Sequence, residues 1–151
     1  MNEIYIAKWD DSKWLMLSSC LFAIPAGFAF YNKLYAYSSL LVLTSLVSAN
    51  YWRKATYSWR RNMDLVLARI SFSTFVFTGV LHVRHLPSMI TGYTGLFVLI
   101  YSYNLSGKLW KADNPHWYKY HVLFHVLMMC EQLLILESVV VYMRSAEIKN
   151  V

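Results

Sequence analysis

The chain has 151 residues with 58% hydrophobic and 17% aromatic side chains against 15% charged, which is too apolar for an ordinary water-soluble domain of this length. Its formal charge of +6 raises the question of nucleic acid, but the basic residues gather near the ends of apolar runs and are not interleaved with aromatics along a polar face. The composition therefore excludes a nucleic-acid partner and points to membrane lipids.

Five apolar runs follow one another, at about 14–31, 34–52, 65–83, 88–105 and 120–143. A helix needs about 20 predominantly apolar residues to cross the hydrocarbon of a bilayer, and each run meets or approaches that length. The expected fold is all-α: a single transmembrane domain over 1–151, an integral membrane bundle of five helices. Thirteen residues before the first run and eight after the last leave no room for a folded extramembrane module. Asp10 and Asp11 replace the basic flank of a cleavable signal, so the first run reads as a retained span. Pro25 should interrupt that span, since it removes a backbone donor and crowds the preceding turn.

The second run is joined to the first by Asn32-Lys33 alone, and the fourth to the third by Arg84-His85-Leu86-Pro87; both pairs are predicted to be antiparallel neighbours. Gly92 and Gly95 in the fourth run offer small surfaces for close helix contact. Cys20 and Cys130 lie inside apolar runs and read as buried free thiols. Aromatic residues at the run ends, among them Trp52, Trp59, Trp117 and Tyr120, read as an interfacial belt.

With five crossings the amino terminus, the 53–63 loop and the 106–118 loop share one side. That side and its helix mouths hold nine Lys and Arg against four opposite, Lys33, Arg84, Arg144 and Lys149. The imbalance predicts a cytoplasmic amino terminus. Which membrane is occupied is not encoded.

On the same side the second run ends with Ser48 and Trp52, the third begins with Asp64, and the fifth begins with His121 and His125. His121 and His125, four apart, project from one helix face about one turn apart and can bind one zinc ion, with Asp64 as third ligand or base and Ser48 on a water or substrate. The plain alternatives are an interfacial histidine pair, a carboxylate facing its helix amino terminus, and a helix-contact hydroxyl. Deeper in the spans stand Arg69, Glu131 and Glu137, where an unpaired charge costs at least ~2.5 to 3.5 kcal/mol. Glu131, ten residues past His121, falls near mid-bilayer; an Arg69 to Glu131 pair or a protonated Glu131 is the structural reading, a proton path or substrate contact the functional one.

Ser48-x-x-x-Trp52, Asp64 twelve positions on, and His121-Val-Leu-Phe-His125 opening the last span together resemble the superfamily of alkaline ceramidases and progestin and adipoQ receptors, known as CREST. Its pattern is Ser-x-x-x-His, then Asp, then His-x-x-x-His; here Trp52 stands at the first histidine, and five spans replace seven. The resemblance implies zinc-dependent hydrolysis of a lipid amide, with His121 and His125 as metal ligands and Asp64 and Ser48 around an activated water. Loss of one histidine ligand implies a weakened or absent metal, and so either a reduced lipid hydrolase or a catalytically inactive descendant, unless His116 substitutes from a non-helical segment near Pro115. A different reading is a non-enzymatic accessory or structural subunit of a membrane assembly, in an organellar complex or a virion membrane, with other membrane subunits as partners.

Overall fold

The computed structural model describes residues 5–149. The chain is helical throughout these residues, in the order α1 (Trp9–Ser19), a short 3-10 turn (Cys20–Phe22), α2 (Ala23–Tyr31), α3 (Tyr35–Arg53), α4 (Trp59–His82), α5 (Leu86–Lys111) and α6 (Trp117–Lys149). Three stretches are long and apolar enough to cross a bilayer: Trp9–Tyr31, Trp59–His82 and Trp117–Ala146. A membrane-embedded helical protein is the consequence.

The 3-10 turn lies where the sequence predicts an interruption. Pro25 has no amide proton for the Leu21 carbonyl, and the backbone just before it tightens to i→i+3 bonding. The helices are longer than the apolar runs, because polar and aromatic turns extend them beyond the hydrocarbon stretch. That extension corrects one expectation. Asp64 is the sixth residue of α4, outside its first turn, so it does not cap the helix.

Small hydroxyl residues draw the first helices together. α1 buries Ser12, Ser18 and Ser19, and α3 presents Ser38, Leu41, Thr44, Ser45 and Ser48 at a helical spacing. The Ser45 hydroxyl donates to the Ser19 carbonyl at 3.0 Å and the Ser19 hydroxyl to Ser48 at 3.0 Å. Interhelical hydrogen bonds and close backbones replace the hydrophobic drive that lipid does not supply. Farther along, Ala26, Ala29, Leu41, Phe75, Ile135 and Leu136 form an apolar core among α2, α3, α4 and α6.

α5 runs along α6, and its backbone stays apart from α3 and α4, so a cleft remains between α4 and α5 with α6 as its floor. The polar end of the bundle is closed by the amino-terminal segment. The Ile6 amide donates to the Ala55 carbonyl at 2.8 Å, and the Trp110 indole donates to the Ile6 carbonyl at 2.9 Å.

Several side chains lie where the sequence did not predict. Cys20 and Cys130 are free thiols, yet both are exposed on the outer surface of the bundle, because their helix faces turn away from its axis. Trp52 and Trp117 are 6% and 8% exposed, so they belong to the interior and not to an outer belt. Trp59, 70% exposed, does face outward. Arg69 is exposed and makes no ion pair with Glu131; among the described residues the recorded salt bridge is Lys13 to Asp10, 3.1 Å. Glu137 is exposed, and Lys149 lies outside the described side chains.

Candidate functional site: a polar cavity at one end of the bundle

Register alone brings the polar residues inward. α4 buries one stripe, Asp64, Ser71, Phe75 and Thr78, whose spacings of seven, four and three keep them on one face. On α6 the inward stripe runs His125, Met128, Gln132, Ile135, Leu136. α3 contributes Ser48, Tyr51 and Trp52 from its last turns. These stripes enclose a cavity of about 880 Å³, lined by Ser48, Trp52, Asp64, His121 and His125 together. The five residues singled out in the sequence thus share one chamber.

Each imidazole is held by a serine. The Ser18 hydroxyl lies 2.7 Å from His125 Nδ1, and Ser106 lies 3.3 Å from His121 Nδ1. Ser18 also lies 3.1 Å from the Leu15 carbonyl. A serine on Nδ1 orients the ring, the kind of outer partner that metal-binding and base histidines require. Across the chamber the Ser48 hydroxyl reaches the Asp64 carboxyl and is itself held by Ser19.

The two imidazoles are correctly spaced for one metal ion. Zinc–nitrogen bonds of about 2 Å at tetrahedral angles place two ring centres roughly 5 Å apart, and those of His121 and His125 are 5.0 Å apart. Beside them stands Trp52, whose ring lies edge-on to His121 with centroids 5.2 Å apart. An indole has a donor N–H in its plane and no lone pair to offer. Asp64 does not converge with the two histidines: among the described residues no group of three His, Cys, Asp or Glu side chains could hold a metal. His116 is non-helical, as its candidacy required, but it is exposed and does not line the chamber. His82, bonded to the Thr78 carbonyl and stacked against Tyr142, sits at the opposite end. A catalytic zinc takes three protein ligands, so the donor set stands one short.

The chamber is instead rich in polar atoms without partners. Trp52 Nε1, the Ser71 hydroxyl and both amide atoms of Gln132 are buried and lack a hydrogen bond within the protein, and all three residues line the same cavity. Buried polar groups left unpaired cost about 1 to 3 kcal/mol each, and all of these belong to residues of the chamber wall. Ser71 and Gln132 lie seven residues past Asp64 and His125 respectively, about 10 Å deeper along their helices. Around the mouth stand Arg61, Lys108 and Lys111, with the Arg61 guanidinium 5.1 Å over the Tyr57 ring; Arg69 lines the chamber farther along α4.

Sequence reasoning did not find Ser18, Ser19, Ser71, Ser106 or Gln132. Gln132 carried a usable signal, being two turns from His125 on one face, whereas the serines are indistinguishable from helix-contact residues until their neighbours are known. No family model, curated protein or solved structure matches the chain, so its function is argued from this chamber and from the residues that build it.

Proposed function

We propose that the chain is a lipid-binding membrane protein on the plan of a zinc-dependent lipid amide hydrolase, reduced at the metal and without turnover. All five helical segments cross the bilayer in this reading, and the amino terminus and polar end face the cytoplasm, following the nine-to-four distribution of Lys and Arg. The observation that carries it is the chamber itself: Asp64, Ser48, His121 and His125, the residues that match the resembling family's pattern, line one cavity, and Trp52, at the position of that pattern's first histidine, stands beside His121. The cleft between α4 and α5 gives a lipid a lateral way in. Basic residues at the mouth suit a phosphate or other anionic headgroup, and the unpaired Ser71 and Gln132 suit a carbonyl or hydroxyl deeper in the same molecule.

Metal analysis with lipid extraction of the purified protein tests this reading. Lipid retained by wild type and lost in Gln132→Leu, with zinc well below one ion per chain, is expected. Stoichiometric zinc that disappears in His121→Ala and His125→Ala would instead make the protein a metalloenzyme, and lipid amide hydrolysis abolished by Asp64→Ala would complete that case. A second reading, a subunit of a larger membrane assembly, has one observation in its favour: α5 runs close to α6 alone and leaves Ile90, Phe97 and Tyr101 exposed.

A further inference from the structure

A second, separate slot opens between α4 and α5 toward the far end, with a volume of about 70 Å³. Its walls include Phe75, Val80, Leu96, Leu134 and Ile135, and Phe72, Leu99 and Met128 part it from the polar chamber. Inside it is one ionisable side chain, Glu131. The carboxyl nests against Gly92 and Gly95 of α5; a Cβ at Gly95 would overlap it, and one at Gly92 would lie 3.7 Å from Oε2. Gly92 and Gly95 are within the helix, so their amides already serve α5's own backbone. Among the described residues no hydrogen bond or ion pair reaches the carboxyl, and Arg69 turns to the other chamber.

A carboxyl about 15 Å along α6 from His121 stands in hydrocarbon, where a charge needs a partner and a neutral acid needs an acceptor. None of the residues lining the slot is basic, whereas the Ser88 and Tyr93 hydroxyls add two further acceptors at its rim. The slot thus presents acceptors and a potential negative charge, with no cation of its own.

We propose that this slot binds an amine-bearing amphiphile, the amino group on Glu131 and the hydrocarbon chain along the α4–α5 cleft. An amine satisfies Glu131 in either protonation state, since acid with amine and carboxylate with ammonium are the same ion pair, and unlike a hydroxyl it supplies the countercharge that the slot lacks. A void that accepts a few water-sized groups takes an ammonium and the first methylenes of a chain.

Native mass spectrometry of the full chain in a neutral detergent, with hexadecylamine, hexadecanol and palmitate as probes, tests the assignment. The expected result is one amine adduct per chain, with apparent affinity at least tenfold weaker in Glu131→Gln and in Gly92→Leu, which fills the slot and keeps the carboxyl. Hexadecanol and palmitate should bind at least tenfold more weakly than the amine. Equal amine binding by wild type and either folded variant, comparable binding of the alcohol, or no amine adduct overturns the proposal. So does a wild-type oligomer that Glu131→Gln dissociates, because a second copy would then fill the slot. Should Glu131→Gln fail to fold, Gly92→Leu decides alone.

Discussion

Replacing Trp52 with histidine should strengthen zinc binding at His121 and His125 by adding a third imidazole. The two existing imidazoles already have the separation that one zinc ion imposes, 5.0 Å between ring centres, and the Trp52 ring approaches His121 at 5.2 Å. Structural zinc sites with four ligands bind with about 10 to 16 kcal/mol, so each ligand contributes roughly 3 kcal/mol, or about 100-fold in affinity. Trp52→His should therefore bind zinc roughly 100-fold more tightly than wild type. Stability supplies a second readout. Removing a buried tryptophan empties part of the core of Leu15, Tyr51, Ala55 and Trp117 and should cost the metal-free variant about 3 kcal/mol. Its indole N–H makes no hydrogen bond, so none is lost. Zinc at 100 times its dissociation constant restores about 2.7 kcal/mol. Competition with a chromophoric chelator measures the affinity, and thermal unfolding in detergent with and without zinc measures the stability. A folded Trp52→His protein that binds zinc no better than wild type, or whose gain survives His125→Ala, would refute the geometric argument.

Other changes follow from named contacts. Ser18→Ala removes the hydrogen-bond partner of His125 Nδ1 inside the bundle and should lower stability by about 1 to 3 kcal/mol in thermal unfolding, with Ser18→Thr closer to wild type. Gln132→Leu deletes two buried atoms that lack protein partners, so stability of the delipidated protein should stay level or rise while lipid retention falls; a loss above about 2 kcal/mol would show that Gln132 has a structural partner. Trp110→Phe breaks the bond to the Ile6 carbonyl, worth about 1 kcal/mol, and should speed proteolytic cutting ahead of α1 without unfolding the bundle.

The sequence by itself determined the class of protein and the depth of its polar residues. Runs of about 20 apolar residues fix membrane helices because unpaired backbone is too costly in hydrocarbon, and Pro25 marked the interruption of the first helix through covalent geometry alone. It also placed Ser48, Trp52, Asp64, His121 and His125 at one end, since position along a helix converts directly to depth. Rotation about each helix axis and the choice of neighbours were decided by the tertiary structure. Those two variables turned Trp52 from an interfacial aromatic into a wall of the chamber, sent Arg69 away from Glu131, and exposed Cys20 and Cys130. They also made ordinary serines into the groups that orient both histidines. The physical reason is that a one-turn pattern constrains which residues share a face, whereas what that face meets depends on residues up to 107 positions away, as between Ser18 and His125.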